Sequence, residues 1–301
     1  MKRRNFIGIT LPLAMLGTSR ASELNKPELV FGVIADPQYA DEDSAGSRFY
    51  RNSLEKLGNA VEELNGAKLD FVATVGDLID RDFKSFGKIM PIYAKLKHPH
   101  YPVLGNHDFS VADDEKSKVH TAVGLENPYY SKEMKGWRFI FLDGTDVAIY
   151  RHPANDLRTA NARAMIGNLR EEKKPQAQVS NGAIGEEQMK WIKSELDAAS
   201  SANQRVVVFN HYPVIPARNG HNLWNAEELV VLLGKYENIA AYMNGHNHKG
   251  NYGTHAGIHF VNLKGMVETE EKTAYATVRC YPDRLEIEGY GLEPDRNLGK
   301  L

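Results

Sequence analysis

Residues 29–38 read LVFGVIADPQ: an unbroken run of apolar residues and one glycine, then an acid, a proline and an amide. A run of this kind is the pattern of a strand covered on both faces, and such strands belong to parallel sheets packed between other layers. The phrase recurs along the chain. LDFVATV (69–75) runs into Gly76-Asp77, YPVL (101–104) into Gly105-Asn106-His107-Asp108, RVVVFN (205–210) into His211, and IAAYMN (239–244) into Gly245-His246-Asn247-His248, while WRFIFLDG (137–144) adds a further strand. Helical spacing separates several of them. Phe49, Leu54, Leu57, Val61 and Leu64 predict a helix with Ser47 as its cap and Asn65-Gly66 as its stop, and two more helices are expected from about Gly185 to Ala199 and over AEELVVLLGKY (226–236). The tail, GIHFVNLKG, TAYATVRCYP and RLEIEGYG, reads as strands joined by turns. The alternation predicts one large α/β domain, interrupted by a polar insertion from about 145 to 182 that has little apolar periodicity.

Composition agrees with a single sizeable core. The chain has 301 residues, 42% hydrophobic, and a formal net charge of -2, which offers no basic surface for nucleic acid or an anionic membrane. Its one cysteine, Cys280, lies in a strand and is expected to be buried and inert. The N-terminus is a separate object: Lys2, Arg3 and Arg4 precede FIGITLPLAMLG and a small-residue stretch, so residues 1–22 are expected to be an export signal that engages the twin-arginine machinery, with an ordinary Sec signal as the alternative. That apolar stretch is too short for stable membrane insertion. The mature domain, 23–301, is expected to be periplasmic or extracellular.

The chemistry gathers where strands end. In an open α/β sheet the carboxyl ends of the strands form the ligand crevice, because loops there reach across a shared edge. Asp36 and Gln38, Asp77, Asn106 with His107 and Asp108, His211, and His246 with His248 all stand at such ends. As oxygen and imidazole donors they suit two metal ions of the kind that cleave phosphate esters or anhydrides. Gly76, Gly105 and Gly245 each precede a polar residue and are expected to let the backbone turn sharply. Taken singly, each element has an ordinary explanation as a turn, a cap or a core histidine. The ordered set does not.

D-x-Q, GD, GNHD, a strand-end histidine and GHxH, in that order, resemble the calcineurin-like metallophosphoesterase superfamily, whose usual first element is D-x-H. Gln38 stands in place of that histidine. Together with ADPQYAD, RFYRNSLEKLGNAVEELN, GHNHKGNYG and FVNLKGMVET, the substitution makes the chain similar to the manganese-dependent ADP-ribose/CDP-alcohol diphosphatases from about Leu29 to Gly291. The resemblance implies a four-layer α/β/β/α sandwich. It also implies that Asp36, Gln38 and His248 hold one ion, that Asn106, His211 and His246 hold the other, and that Asp77 bridges them. The Gln38 oxygen makes the first position harder, which favours manganese, with magnesium or iron(II) as alternatives, over zinc. No tyrosine follows Gly76-Asp77, where purple acid phosphatases carry their ferric ligand; the chain reads Leu78, Ile79, Asp80. The implied reaction is attack of a hydroxide bridging the two ions on a pyrophosphate such as that of ADP-ribose, CDP-choline or CDP-glycerol. His107 then protonates the leaving oxygen and Asp108 orients its ring. Two alternatives stay open: a phosphodiesterase (cyclic nucleotides included) or phosphomonoesterase of the same superfamily, and a non-catalytic protein that binds a small phosphorylated ligand.

Other residues are expected to be peripheral. Arg48 and Arg51 are placed on the solvated face of the first helix, and His98 and His100 in a surface turn. His221 and Trp224, in RNGHNLWN, are candidates for a nucleoside or sugar pocket, with core packing an equal reading for Trp224.

Overall fold

The structure is a computed structural model that describes residues 26–299, so the expected export signal lies outside the described residues. In chain order the elements are β1 Leu29–Ile34, α1 Ser53–Gly66, β2 Phe71–Val75, α2 Phe86–Tyr93, β3 His100–Val103, α3 Val119–Ala122, β4 Tyr130–Met134, β5 Trp137–Phe141, α4 Leu157–Glu171 and α5 Glu186–Ser201. There follow β6 Arg205–Phe209, α6 Ala226–Leu233, β7 Ile239–Asn244, β8 Lys249–His255, β9 Ile258–Lys264, β10 Ala274–Cys280, β11 Leu285–Gly291 and β12 Arg296–Leu298.

The strands form two six-stranded sheets, ordered β12-β11-β10-β1-β2-β3 and β4-β5-β6-β7-β9-β8. β1, β2 and β3 run parallel in the first, and β5, β6, β7 and β9 run parallel in the second. Their apolar runs are continuous because both faces are covered. The inner faces meet in an aromatic layer in which Phe31 stacks on Phe71 with ring centroids 4.9 Å apart and Phe141 stacks on Phe209 at the same separation. The outer face of the first sheet carries α1, whose buried residues Leu57, Ala60, Val61 and Leu64 share one stripe, together with α2. α5 and α6 cover the second sheet through Ile192, Leu196, Leu229 and Leu233. The result is the α/β/β/α sandwich expected of the family, as a single domain.

Three local expectations are corrected. α1 begins at Ser53, not near Ser47, and Asn52 precedes it without a side-chain cap bond; Phe49 belongs to the loop before it, where its N–H bonds the Val267 carbonyl. Arg48 and Arg51 are therefore loop residues rather than helix-face residues. The polar insertion contains a fifteen-residue helix, α4, capped by Asp156 Oδ1, which accepts from the Arg158 N–H at 2.8 Å. Its buried residues are Thr159, Ala162 and Ile166, with Met165 and Leu169 packed beside them, so a narrow apolar stripe at helical spacing runs through an otherwise polar segment. Trp224 packs into this layer at 2% exposure and donates Nε1–H to the Gln178 carbonyl, so core packing is its role.

Among the described residues no helix is long and apolar enough to cross a membrane. Cys280 is buried, and burial pushes its thiol pKa up.

Candidate metal centre

The parallel strands of both sheets end on one rim, and short loops there are stitched to one another. Gln38 N–H donates to the Asp77 carbonyl at 2.8 Å, Tyr39 N–H to the Leu78 carbonyl, and Gly245 N–H to the His211 carbonyl. His246 N–H donates to both Asp36 carboxylate oxygens at 3.1 and 3.2 Å. Asp36, Gln38, Asp77 and His246 all hold left-handed backbone conformations, with φ of 49°, 46°, 53° and 66°. Non-glycine residues rarely adopt this region, and clusters of them mark sites where surrounding contacts override local preference. Of the three glycines only Gly76 has positive φ and makes the expected turn itself. All three have a further task. A Cβ at Gly76 would fall on the His211 ring, one at Gly105 on the Asp77 carboxylate, and one at Gly245 on the Asp36 carboxylate. They leave room for these side chains, and at Gly245 the left-handed turn falls on the next residue, His246.

All seven expected donors converge. Ligand atoms of Asp77, His211 and His246 lie within 4.8 Å of one another, and so do those of Asp36, Asp77 and His248, so that two triads share Asp77. Asn106 Oδ1 lies 3.1 Å from His211 Nε2 and joins the first group. Gln38 Nε2 donates to Asp77 Oδ2 at 2.9 Å, while its Oε1 is buried without a partner. An orphaned amide oxygen beside two buried carboxylates is what a hard cation satisfies, and the donor set as a whole fits two divalent ions.

Electrostatics point the same way. Burial would lower the His211 pKa, yet the charges of Asp77 and Asp36 lift it to about 9. Burial likewise opposes, and Asp36 and Glu268 overcome, at His248, which also reaches about 9. Burial would raise Asp77, but His211 and His107 draw it far below the usual carboxylate range. The site thus holds protons where it would hold cations. Metal binding must displace them, so affinity is expected to rise with pH up to about 9.

Each imidazole is steered by an acceptor at its outer nitrogen. Val75 carbonyl lies 2.8 Å from His211 Nδ1, Glu268 Oε1 2.7 Å from His248 Nδ1, and Asn181 Oδ1 2.9 Å from His246 Nε2. Neither Glu268 nor Asn181 was expected from the sequence. Glu268 follows β9, which is parallel to β7, so the strand-end rule that located the ligands also points to it. Asn181 lies in the insertion and carries no such signal.

Asp108 is corrected. Its two carboxylate oxygens accept from four backbone N–H groups, those of Asp77, Leu78, Ile79 and Gly105, at 2.8–3.2 Å. Burial and the negative Asp77 push its pKa up to about 7 in spite of these bonds. It braces the Asp77 loop and has no oxygen left for His107. The carboxylate beside His107 is Asp80, whose Oδ1 lies 2.9 Å from Nδ1 but off the axis of a ring N–H. Arg48 Nη1 is 3.5 Å from His107 Nε2 at the half-exposed mouth. Arg51 instead pairs with Asp41 and Asp43 at the surface. His98 and His100 lie away from the centre, with His98 Nε2 3.2 Å from the Leu64 carbonyl and His100 against Tyr93. His221 is exposed, with its ring 5.6 Å from that of His246.

The profile of the calcineurin-like phosphoesterase family matches residues 29–250. The chain belongs to this family. It is 30% identical to a "manganese-dependent ADP-ribose/CDP-alcohol diphosphatase" of Arabidopsis thaliana, covering 89% of this chain and 96% of that one. It is 29% identical to the protein of the same description from Homo sapiens, covering 88% and 91%. A dimetal phosphatase from Danio rerio superposes with a TM-score of 0.82 at 24% identity, covering 92% of this chain and all of that one, which establishes the shared fold. Family membership makes the chain a metal-dependent hydrolase acting on phosphate linkages.

Proposed function

We propose that the chain is a manganese-dependent hydrolase that cleaves the pyrophosphate of nucleoside diphosphate conjugates such as ADP-ribose and CDP-alcohols. The observation that carries this reading is the buried pair of donor triads sharing Asp77, with Gln38 offering an orphaned oxygen on one side. The substrate class is supported by the activity named for relatives similar over about nine-tenths of the chain.

Asp36, Gln38 and His248 would hold one ion and Asn106, His211 and His246 the other, with Asp77 within reach of both. Two bound dications supply positive charge against the phosphoryl oxygens and lower the pKa of water at the site. The remaining work belongs to the protein. His107 keeps Nδ1 at Asp80, so that Nε2 faces the open rim and can pass a proton to the leaving oxygen. Arg48 stands beside Nε2, so charge developing on a departing phosphate meets a guanidinium as well as an imidazole. A pyrophosphate leaves as a phosphate, which suits an adjacent guanidinium.

Purified protein with manganese is offered ADP-ribose, CDP-choline, cyclic AMP and p-nitrophenyl phosphate. Turnover is expected on the two diphosphates first. Failure on both, with hydrolysis of cyclic AMP or the monoester, replaces the proposal with the esterase alternative; fewer than two bound ions with no turnover replaces it with the ligand-binding one.

We infer also that the chain is exported, from Arg3-Arg4 ahead of its apolar stretch. Lysine at both positions is expected to retain the protein in the cytoplasm. Unchanged export of that variant removes the twin-arginine route.

A further inference from the structure

We propose that Asn181 decides which nitrogen of His246 faces the metal centre, and so makes the insertion after β5 part of the Asn106–His211–His246 half of that centre. This rests on reading the donor cluster as a two-ion site.

Asn181 is fully buried, and its Nδ2 donates to the Gln176 carbonyl at 3.0 Å and the Gly220 carbonyl at 2.7 Å. Carbonyl oxygens only accept, so the nitrogen of this amide is committed to them and the oxygen must be the atom 2.9 Å from His246 Nε2. An amide oxygen also only accepts. His246 Nε2 therefore carries a hydrogen, and in the neutral ring Nδ1 is bare. Nδ1 is the atom that points inward, 3.2 Å from His211 Nε2. Turning the amide over would set its oxygen against two carbonyl oxygens, two mismatches in a buried space whichever nitrogen of His246 carries the proton.

His246 is the exception among the three imidazoles. His211 and His248 have their Nδ1 atoms held from outside and present Nε2, whereas His246 presents Nδ1. Its other neighbours are rings: Tyr212 at 4.6 Å, His211 at 5.0 Å and His221 at 5.6 Å between centroids. Without Asn181 the proton is free to move to Nδ1, where it blocks ligation. The residue can serve this purpose only if the insertion is docked, and several contacts dock it. Arg151 pairs with Asp143 at 3.1 Å, Val147 and Ala183 bridge, Trp224 N–H donates to the Gly182 carbonyl, and Tyr212 Oη donates to the Ser180 carbonyl.

Asn181 is a positioning residue, and the test separates positioning from plain loop anchoring. Manganese is titrated into metal-free wild type, Asn181→Ala and Asn181→Asp, with thermal unfolding recorded for each. Asn181→Ala is expected to bind one of the two ions about 10–100-fold more weakly, the range for lost outer partners of metal-ligating histidines, with the other ion unaffected. Asn181→Asp keeps an acceptor for Nε2–H but opposes both carbonyls, so it is expected to unfold at lower temperature yet bind both ions within a few-fold of wild type. Equal loss of affinity in the two variants, or undiminished affinity in Asn181→Ala, overturns the proposal. Should Asn181→Ala not fold, nitrogen-15 spectra of the histidine rings in metal-free wild type decide. His246 is expected to carry its proton on Nε2 before any ion binds, and a proton on His246 Nδ1 is contrary. Wild type that takes fewer than two manganese ions instead defeats the two-ion reading, and does so before any variant is compared.

Discussion

The two halves of the centre share Asp77 but are built from opposite materials. On the Asp36 side the donors are a carboxylate, an amide oxygen and one imidazole, and the imidazole is backed by the carboxylate of Glu268. On the His211 side two imidazoles and an amide oxygen are backed by neutral acceptors, the Val75 carbonyl and Asn181. The first half is oxygen-rich and more negative, the second nitrogen-rich and closer to neutral. Equal ions placed in unlike surroundings bind with unlike affinity, so the contrast predicts two separable metal-binding steps.

The harshest test removes what the halves share. Asp77→Asn is expected to weaken both ions together and to cost several kcal/mol of transition-state stabilisation; metal titration showing loss of one ion alone would break the comparison. Next comes His107, which belongs to neither half. His107→Ala is expected to slow turnover by about 10²–10⁴-fold while both ions remain bound, read as rate against metal content. Glu268→Gln then addresses one side only. Its expected effect is about 10–100-fold weaker binding of the ion held by Asp36, Gln38 and His248, leaving the other unchanged. Equal weakening of both ions would show that the halves are not independent.

The smallest effect concerns the scaffold behind the Asp36 side. Lys56 is buried on α1 and donates to the carbonyls of Glu268 and Thr269 at 3.3 and 2.9 Å. Burial lowers its pKa from 10.5 to about 8, against the charge of Glu268. Between these values the unfolded chain binds the proton and the folded chain does not, so this residue makes stability rise as pH climbs from about 8 towards 10.5. Denaturant titrations across that range are expected to show the rise in wild type and a flatter profile in Lys56→Met.

How far the centre was legible follows from the kind of signal each residue carries. Asp36, Asp77, Asn106, His211 and His246 announce themselves because a buried parallel strand is an unbroken apolar run, and its first polar residues open on the ligand edge. The left-handed conformations of Asp36, Gln38, Asp77 and His246 are invisible by contrast. They occur where the Asp77 and Asp36 carboxylates pack against Gly105 and Gly245, at positions a Cβ would fill. The role of Asp108 was misread because adjacency to His107 in the chain suggested contact in space. The 3-10 turn over His107–Phe109 instead carries the Asp108 carboxylate to the backbone of the Asp77 loop and leaves the imidazole to Asp80. α4 does carry an apolar stripe at helical spacing, Ala162, Met165, Ile166 and Leu169, but the stripe is narrow and set among Asn and Arg residues, so the polarity of the whole segment outweighs it.

By itself the sequence determined the layered α/β architecture and which polar side chains gather at the shared rim, since strand burial and strand ends are written in consecutive residues. Tertiary structure alone decided which nitrogen each histidine offers and which acid accompanies His107. Those choices depend on single hydrogen-bonding atoms brought from afar, Val75 to His211 across 136 residues and Asn181 to His246 across 65. No local pattern encodes which carbonyl or amide will arrive there, because packing of separate segments, not the preference of any one of them, sets the meeting point.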